Sequence, residues 1–218
     1  FPEGWRALGS PRAILWCITS CSTTLIALGH YKEAETLLHE SLMLSHTTDD
    51  RYGMAMSLHH LGLVAMKQQD GEEAVYLFRE TLALVRTLGS WEVAQALNDL
   101  ASALWSTGAT EAAERTYHEA LAAALQAHAP PDALQAVAGL AVALQHRGRS
   151  AEALGLALRA LANPASRSET RRQAEAICDA ARSALSAEQI EAVERRSKDE
   201  PLEVTLATLA ALDPSRLG

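Results

Sequence analysis

Residues 72–82 read EEAVYLFRETL, and this stretch and its copies along the chain decide the fold. Three further stretches align with it without gaps: KEAETLLHESL at 32–42, EAAERTYHEAL at 111–121 and AEALGLALRAL at 151–161. The alanines that they share, Ala34, Ala74, Ala113 and Ala153, are 40, 39 and 40 residues apart. So regular a period predicts one structural unit that is repeated four times.

A second helical stretch precedes each copy, so the repeated unit is predicted to be helix, turn, helix. The preceding stretches carry small residues at equivalent places: Ser22, Gly62, Ala101 and Ala141. The predicted turns are Gly29-His30, Gln69-Asp70-Gly71, Thr107-Gly108 and Arg147-Gly148. Glycine suits these places because it enters the left-handed region at a helix end without a side-chain clash. We expect the small residues to let two antiparallel helices approach, and stacked units to bury the remaining apolar stripe.

This pattern resembles the tetratricopeptide repeat, W-x2-L-G-x2-Y followed by a spaced alanine, an aromatic residue and a second small residue. The second copy reads Leu58-x2-Leu61-Gly62-x2-Ala65, then Ala74, Phe78 and Thr81. The third reads Leu97-x2-Leu100-Ala101-x2-Leu104, then Ala113, Tyr117 and Ala120. The first aromatic residue is aliphatic throughout, the proline after the second helix is missing, and the unit is longer than the common form. The long unit is similar to the sensor repeats of bacterial signal-transducing ATPases and of LuxR- or MalT-like transcription regulators.

The resemblance implies an all-α fold, a right-handed superhelical solenoid of antiparallel helix pairs. Residues 1–165 are predicted to form four TPR-like hairpins. Beyond Pro164 the repeat degrades, and residues 166–218 are predicted to add a degenerate fifth hairpin and a C-terminal capping helix to the same solenoid. Helices are expected from about Ser168 to Leu185, after a serine cap at Ser186, and from about Glu203 to Leu212.

In tetratricopeptide arrays the first helix of each pair lines the concave surface, so the resemblance implies a ligand-binding groove on these helices. The predicted groove residues are Trp16, Thr19, Thr23, Met56, His59, His60, Leu63, Met66, Gln95, Asn98, Ser102, Trp105, Gln135 and Gln145. Amide side chains both donate and accept hydrogen bonds and therefore suit a peptide backbone. Asn98 is the leading candidate, since similar repeats often place a backbone-binding asparagine there, although each residue of the set is equally consistent with ordinary packing. His59 is a candidate pH-sensitive contact.

Composition and charge argue against several other classes of protein. The chain has 218 residues and a net charge of −8, from 19 Lys and Arg against 27 Asp and Glu, so direct nucleic-acid binding is not expected. The pairs Arg171-Arg172 and Arg195-Arg196 are expected to lie on solvated helix faces. Cys17 and Cys21 share a helix face but are read as packing residues, and the histidines follow no ligand spacing, so neither a metal nor a cofactor is predicted. The sequence contains no catalytic motif, and we expect no enzyme.

Neither a signal peptide nor a membrane span is expected. The start, Phe-Pro-Glu-Gly-Trp, lacks a basic segment and an apolar core, and the most apolar stretch, residues 13–28, is broken by polar side chains. We therefore expect a soluble, cytoplasmic protein. The missing initial methionine predicts a fragment or a processed form of a longer chain.

These features predict a non-catalytic module that binds a protein, a peptide or a small effector, as the sensor or interaction part of a larger bacterial regulator. Two alternatives share the fold. One is a standalone homodimeric scaffold that associates through Trp5, Trp16 and the segment from Leu202 to Leu212. The other is a peptide-pheromone receptor.

Overall fold

The computed structural model describes residues 11–89 and 92–211. Within these ranges the chain forms helices and no strand, as predicted. The helices are α1 (Pro11–Leu28), α2 (Tyr31–Thr47), α3 (Arg51–Lys67), α4 (Gly71–Leu88), α5 (Val93–Ser106), α6 (Thr110–Gln126), α7 (Pro130–His146), α8 (Ser150–Ala162), α9 (Ser168–Ala184), α10 (Ala187–Asp199) and α11 (Leu202–Ala211). The predicted helix–turn–helix pairs are therefore confirmed.

The chain divides into two compact units, residues 1–92 and residues 93–218. In the first unit α1 packs on α2, α2 on α3 and α3 on α4, and α1 also contacts α3. In the second unit the same order continues from α5 to α9. The first helices of successive pairs also meet, since α5 contacts α7 and α7 contacts α9. Two further helices complete this unit: α10 lies on α8, and α11 lies on α6.

Left-handed residues end the first seven helices at nearly constant intervals. They are Gly29, Asp49, Gln69, Gly89, Gly108, His128 and Gly148, 19 or 20 residues apart. The turn after α3 differs from the prediction, because Gln69 takes the left-handed conformation and Gly71 is already the first residue of α4. Asp70 then caps α4, since its Oδ1 accepts the backbone N–H of Glu73 at 3.1 Å. Ser186 caps α10 as predicted, in a reciprocal capping box with Gln189.

Small residues at the predicted places are fully buried. Ala34, Ala74, Ala113 and Ala153 are all inaccessible to solvent, as are Ser22, Ala101 and Ala141. Gly62 is required for a specific reason: a Cβ placed there would lie 2.6 Å from Cε1 of the buried Phe78 ring. In the second unit the corresponding ring, Tyr117, covers Gly139 of α7, where a Cβ would lie 2.3 Å from the ring. Close helix packing therefore depends on two glycine–aromatic contacts.

Candidate functional site

Four polar side chains from α5, α7 and the start of α9 form one network in the second unit. Asn98 Nδ2 donates to the backbone carbonyl of Asp132 at 2.9 Å, which ties α5 to the first turn of α7. Arg167, which precedes α9, donates from one Nη1 to Asp132 Oδ1 at 2.7 Å and to Gln135 Oε1 at 3.2 Å. The Asp132 carboxylate is buried, whereas the Arg167 side chain is 42% exposed. The network therefore presents a guanidinium and an amide to solvent on a rigid base.

Asn98 occupies a different place from that expected of a residue that meets a ligand directly. It is fully buried, and its Oδ1 has no hydrogen-bond partner among the described residues. Its amide joins two helices, so in this structure its contacts are those of a packing residue, and its predicted role toward a peptide stays a prediction. Gln135 and Gln95, in contrast, are only half-buried.

A second group of predicted groove residues lies further along α5 and α7. Ser102 donates to the carbonyl of Asn98 at 2.9 Å and lies 3.0 Å from the hydroxyl of Tyr117. The half-buried Trp105 meets His146 edge to face, with ring centroids 5.6 Å apart. Gln145 is half-buried, and its Oε1 lacks a partner in the described part of the chain. The first-helix face of this unit thus combines an aromatic pair with amide and hydroxyl groups.

In the first unit the predicted residues divide between α1 and α3. Trp16 is 75% exposed, and Thr19 bonds back to the carbonyl of Leu15 at 2.9 Å. Thr23 Oγ1 lies 3.2 Å from Nε2 of His60, whose Nδ1 donates to the carbonyl of Met56 at 2.8 Å. This contact joins the two helices through a half-buried imidazole.

His59 does not lie on the open face with its neighbour. It is buried, with its ring 5.2 Å from that of His60 and 5.9 Å from that of Phe78. Leu63 and Met66 are half-buried on the same helix. The role of His59 as a pH-sensitive ligand contact therefore remains a sequence-based prediction. Of the two histidine rings, that of His60 is the more accessible.

Sequence reasoning missed Asp132 and Arg167 and misread Arg171. Arg171 was expected on a solvated face, but it is half-buried and donates to the carbonyls of Ser166, Leu161 and Asn163 at 3.2, 3.0 and 2.9 Å. It thereby binds the chain that leaves α8. An arginine at a predicted helix start, directly after a stretch rich in Pro, Ala and Ser, is the one local signal that could have indicated such a role.

Two groups of the second unit, Tyr117 and His118, have pKa values shifted by burial. Burial raises the pKa of Tyr117 to about 12, opposed by the hydrogen bond to Ser102 and reinforced by the charge of Asp99. Burial lowers the pKa of His118 from its ordinary value, although the carbonyl of Leu209 and the charge of Glu114 act in the opposite direction. His118 Nδ1 lies 3.1 Å from that carbonyl, so the imidazole joins α6 to α11. Both groups are neutral at pH 7.

Acid is expected to weaken the second unit through His118. Because the folded pKa lies below the unfolded one, the stability linked to this group is present above about pH 6.5 and is lost as the pH falls through the folded pKa. Between about pH 7.5 and about pH 5, we expect the melting temperature of His118→Asn to fall less than that of the wild type. Asparagine keeps a hydrogen-bond donor but does not titrate. Thermal unfolding at both pH values measures this; an equal fall in both proteins would contradict it.

Metal-ligating side chains are dispersed over the described residues. There, no group of three or more His, Cys, Asp or Glu side chains could hold a metal ion. Cys17 and Cys21 are half-buried and unpaired, and Cys178 is a buried thiol whose pKa is raised by burial. Among the helices of residues 11–89 and 92–211, none is both long and apolar enough to cross a membrane. Trp5, Leu212 and the end of the chain lie outside the described residues.

Comparison with known proteins identifies the repeat and the fold. A family model described as tetratricopeptide repeat matches residues 53–126. No curated protein sequence matches the chain. The structure of BtubC (BKLC) from P. vanneervenii is similar at 20% identity, with a TM-score of 0.65 over 92% of this chain and 83% of that one.

Two more solved structures are similar at low sequence identity. A candidate kinesin light chain of Podosopora anserina with nearly identical TPR-like repeats has 20% identity and a TM-score of 0.62, over 88% of this chain and 100% of that one. The Rap protein complexed with competence and sporulation factor has 17% identity and a TM-score of 0.57, over 91% of this chain and 54% of that one. Tetratricopeptide repeats are therefore matched over residues 53–126, within a chain whose fold is that of a TPR-like helical solenoid.

Proposed function

We propose that this chain is a non-catalytic module that binds a peptide or an extended segment of a protein along the first-helix face of its second unit. The observation that carries the proposal is the network of Asn98, Asp132, Gln135 and Arg167. Its buried members fix its exposed members in place, so little side-chain entropy is lost when a partner binds. TPR-like folds support protein-interaction modules, which agrees with this use.

The exposed chemistry of this face suits a peptide backbone. Arg167 uses Nη1 for Asp132 and Gln135, which leaves its other N–H groups for carbonyl or carboxylate oxygens of a partner. Gln135 adds an amide that both donates and accepts. The half-buried Trp105 and the exposed His146, which meet edge to face, provide an aromatic surface for one apolar side chain.

A peptide selected from a display library on the full chain tests this assignment. We expect Gln135→Ala and Arg167→Ala to weaken its binding by about tenfold each, because each loses a hydrogen bond to the ligand. The matched controls Gln126→Ala and Arg115→Ala alter exposed side chains of α6 and should leave the affinity unchanged. Fluorescence anisotropy gives the affinities, and circular dichroism confirms the fold of each variant. Selected peptides that bind all four variants equally would refute this face as the site.

The finer role is that of a sensor or interaction part of a larger bacterial regulator. The unit length of about forty residues and the likeness to the Rap complex with its factor support it. It predicts that the complete coding sequence also encodes an ATPase or a DNA-binding domain. A complete reading frame with neither would contradict it. A receptor for a short peptide pheromone would use the same face and would be distinguished by tight binding of a free short peptide.

A homodimeric scaffold is the alternative of a different class. Trp16 at 75% exposure is the observation that favours it, because contact of this indole with a second copy would remove apolar surface from water. Light scattering of the wild type and of Trp16→Ala over a range of concentrations tests it. A monomer at all concentrations removes the scaffold and leaves the peptide-binding proposal intact.

A further inference from the structure

A cavity of about 310 Å³ lies between α8, α10 and α11, outside the face proposed for peptides. Its volume is at the small end of the range for ligand pockets. Leu144, Leu156, Val193 and Leu209 supply its apolar walls. Gly155 leaves part of the wall without a side chain, and a Cβ there would meet only Val193 and Ser197, at 3.7 and 3.8 Å.

Thr205 of α11 is one of the residues that line this cavity. Its Oγ1 is buried and has no hydrogen-bond partner among the described residues. Most helical threonines of the chain, such as Thr208 on the same helix, bond instead to the carbonyl four residues earlier, at 2.8 Å for Thr208. A buried hydroxyl without a hydrogen-bond partner is unfavourable. Binding of a ligand that accepts a hydrogen bond from this hydroxyl is therefore favoured.

The charges at the cavity favour an acidic ligand. Glu200 already accepts from the buried Arg159 at 2.6 Å, and Arg149 holds Glu152 through two bonds of 2.7 and 2.5 Å. Both acidic side chains of the lining are therefore neutralised. Arg196 is 81% exposed, and within residues 11–89 and 92–211 its ion pair is a loose one, Nε to Glu200 at 3.7 Å. Its guanidinium therefore still has N–H groups to donate to an anion in the cavity.

We propose that this cavity binds a small monocarboxylate with an aliphatic chain. The chain lies against the four apolar side chains, and the carboxylate accepts from the Thr205 hydroxyl and from Arg196. The site is independent of the peptide-binding proposal, because none of its lining residues belongs to the Asn98 network. Failure of either leaves the other standing.

Isothermal titration of the full chain with hexanoate, octanoate and decanoate, and with 1-octanol, tests the site. We expect saturable binding of at least one acid and at least about tenfold weaker binding of the alcohol. Thr205→Val keeps the shape but removes the hydroxyl, and we expect about tenfold weaker binding of the acid. Arg196→Gln should weaken binding of the acid and leave binding of the alcohol unchanged. Arg195→Gln alters an exposed neighbour that does not line this cavity and should change neither affinity.

Gly155→Leu provides the steric test, since its side chain projects toward α10 and fills the cavity. We expect it to abolish binding of the acids, with circular dichroism as the control for folding. Three results would overturn the proposal: no saturable binding of any acid, equal affinity for octanoate and octanol, or unchanged affinity in both Thr205→Val and Arg196→Gln.

Discussion

Gly139→Ala should lower the free energy of unfolding by about 2 kcal/mol, although alanine is the better helix former. The added Cβ would lie 2.3 Å from Cε1 and Cζ of Tyr117. That ring is buried, and Ser102 holds its hydroxyl at 3.0 Å, so it has little room to move. Urea unfolding measures the change in stability of the second unit.

Gly155→Ala is the matched control, because it is a helical glycine of the same unit. Its Cβ would meet nothing nearer than 3.7 Å, so we expect a gain of up to about 1 kcal/mol from helix propensity. The double variant Gly139→Ala/Tyr117→Leu should recover part of the lost stability by removing the ring. Equal changes in stability in Gly139→Ala and Gly155→Ala would show that the Tyr117 ring moves away from the added Cβ. That result would contradict the claim that the ring has little room to move.

Arg159→Met should destabilise the second unit by about 2–3 kcal/mol, below the usual 3–5 kcal/mol for a broken buried pair. Arg159 is buried and donates to both the side chain and the backbone carbonyl of Glu200, each at 2.6 Å. Its loss leaves that carboxylate without its main partner and detaches the chain between α10 and α11. The expected loss is smaller because Glu200 is itself partly exposed and Arg196 is near.

Arg149→Met tests whether burial or bond length determines how much stability is lost when such an ion pair is broken. The Arg149–Glu152 pair has bonds as short as those of Arg159, but both its side chains are about half exposed. Exposed pairs contribute roughly 0–1 kcal/mol, because water screens the charges and competes for the donors. We expect the two losses, measured by urea unfolding at neutral pH, to differ by at least about 1 kcal/mol. Similar losses would show that burial of Arg159 adds nothing.

The repeat could be found from sequence because close helix packing requires small residues at fixed intervals. Ala34, Ala74, Ala113 and Ala153 were recognisable for this reason, and all are fully buried. The partner of each aromatic ring could not be found in the same way. Tyr117 was aligned with Phe78, whose ring covers Gly62 in its own hairpin. The Tyr117 hydroxyl lies 3.0 Å from Ser102 of its own hairpin, and its ring also covers Gly139 on the first helix of the next pair. Which neighbour a ring meets depends on the angle between helices, and spacing alone does not determine that angle.

The sequence also could not show which residues of the predicted groove are accessible to a ligand. Spacing placed Asn98 and Gln135 on first helices, but it could not show that the start of α7 covers Asn98 while Gln135 stays accessible. Arg167 is 35 residues from Asp132, and no local pattern links an exposed arginine to a buried carboxylate so far away. A charge on α7 and one at the start of α9 are seen to meet only when the two helices are placed together.

The nearly constant interval between the left-handed residues at the helix ends restricts how a gene for such a chain can grow. One codon inserted within a helix would turn every following side chain of that helix by about 100° and move buried alanines toward water. A duplicated segment of about forty codons, joined at Gly29, Gln69, Gly108 or Gly148, would leave every helix with its own neighbours. Lineages of this chain should therefore differ by whole pairs of helices, and shorter insertions should be confined to the turns.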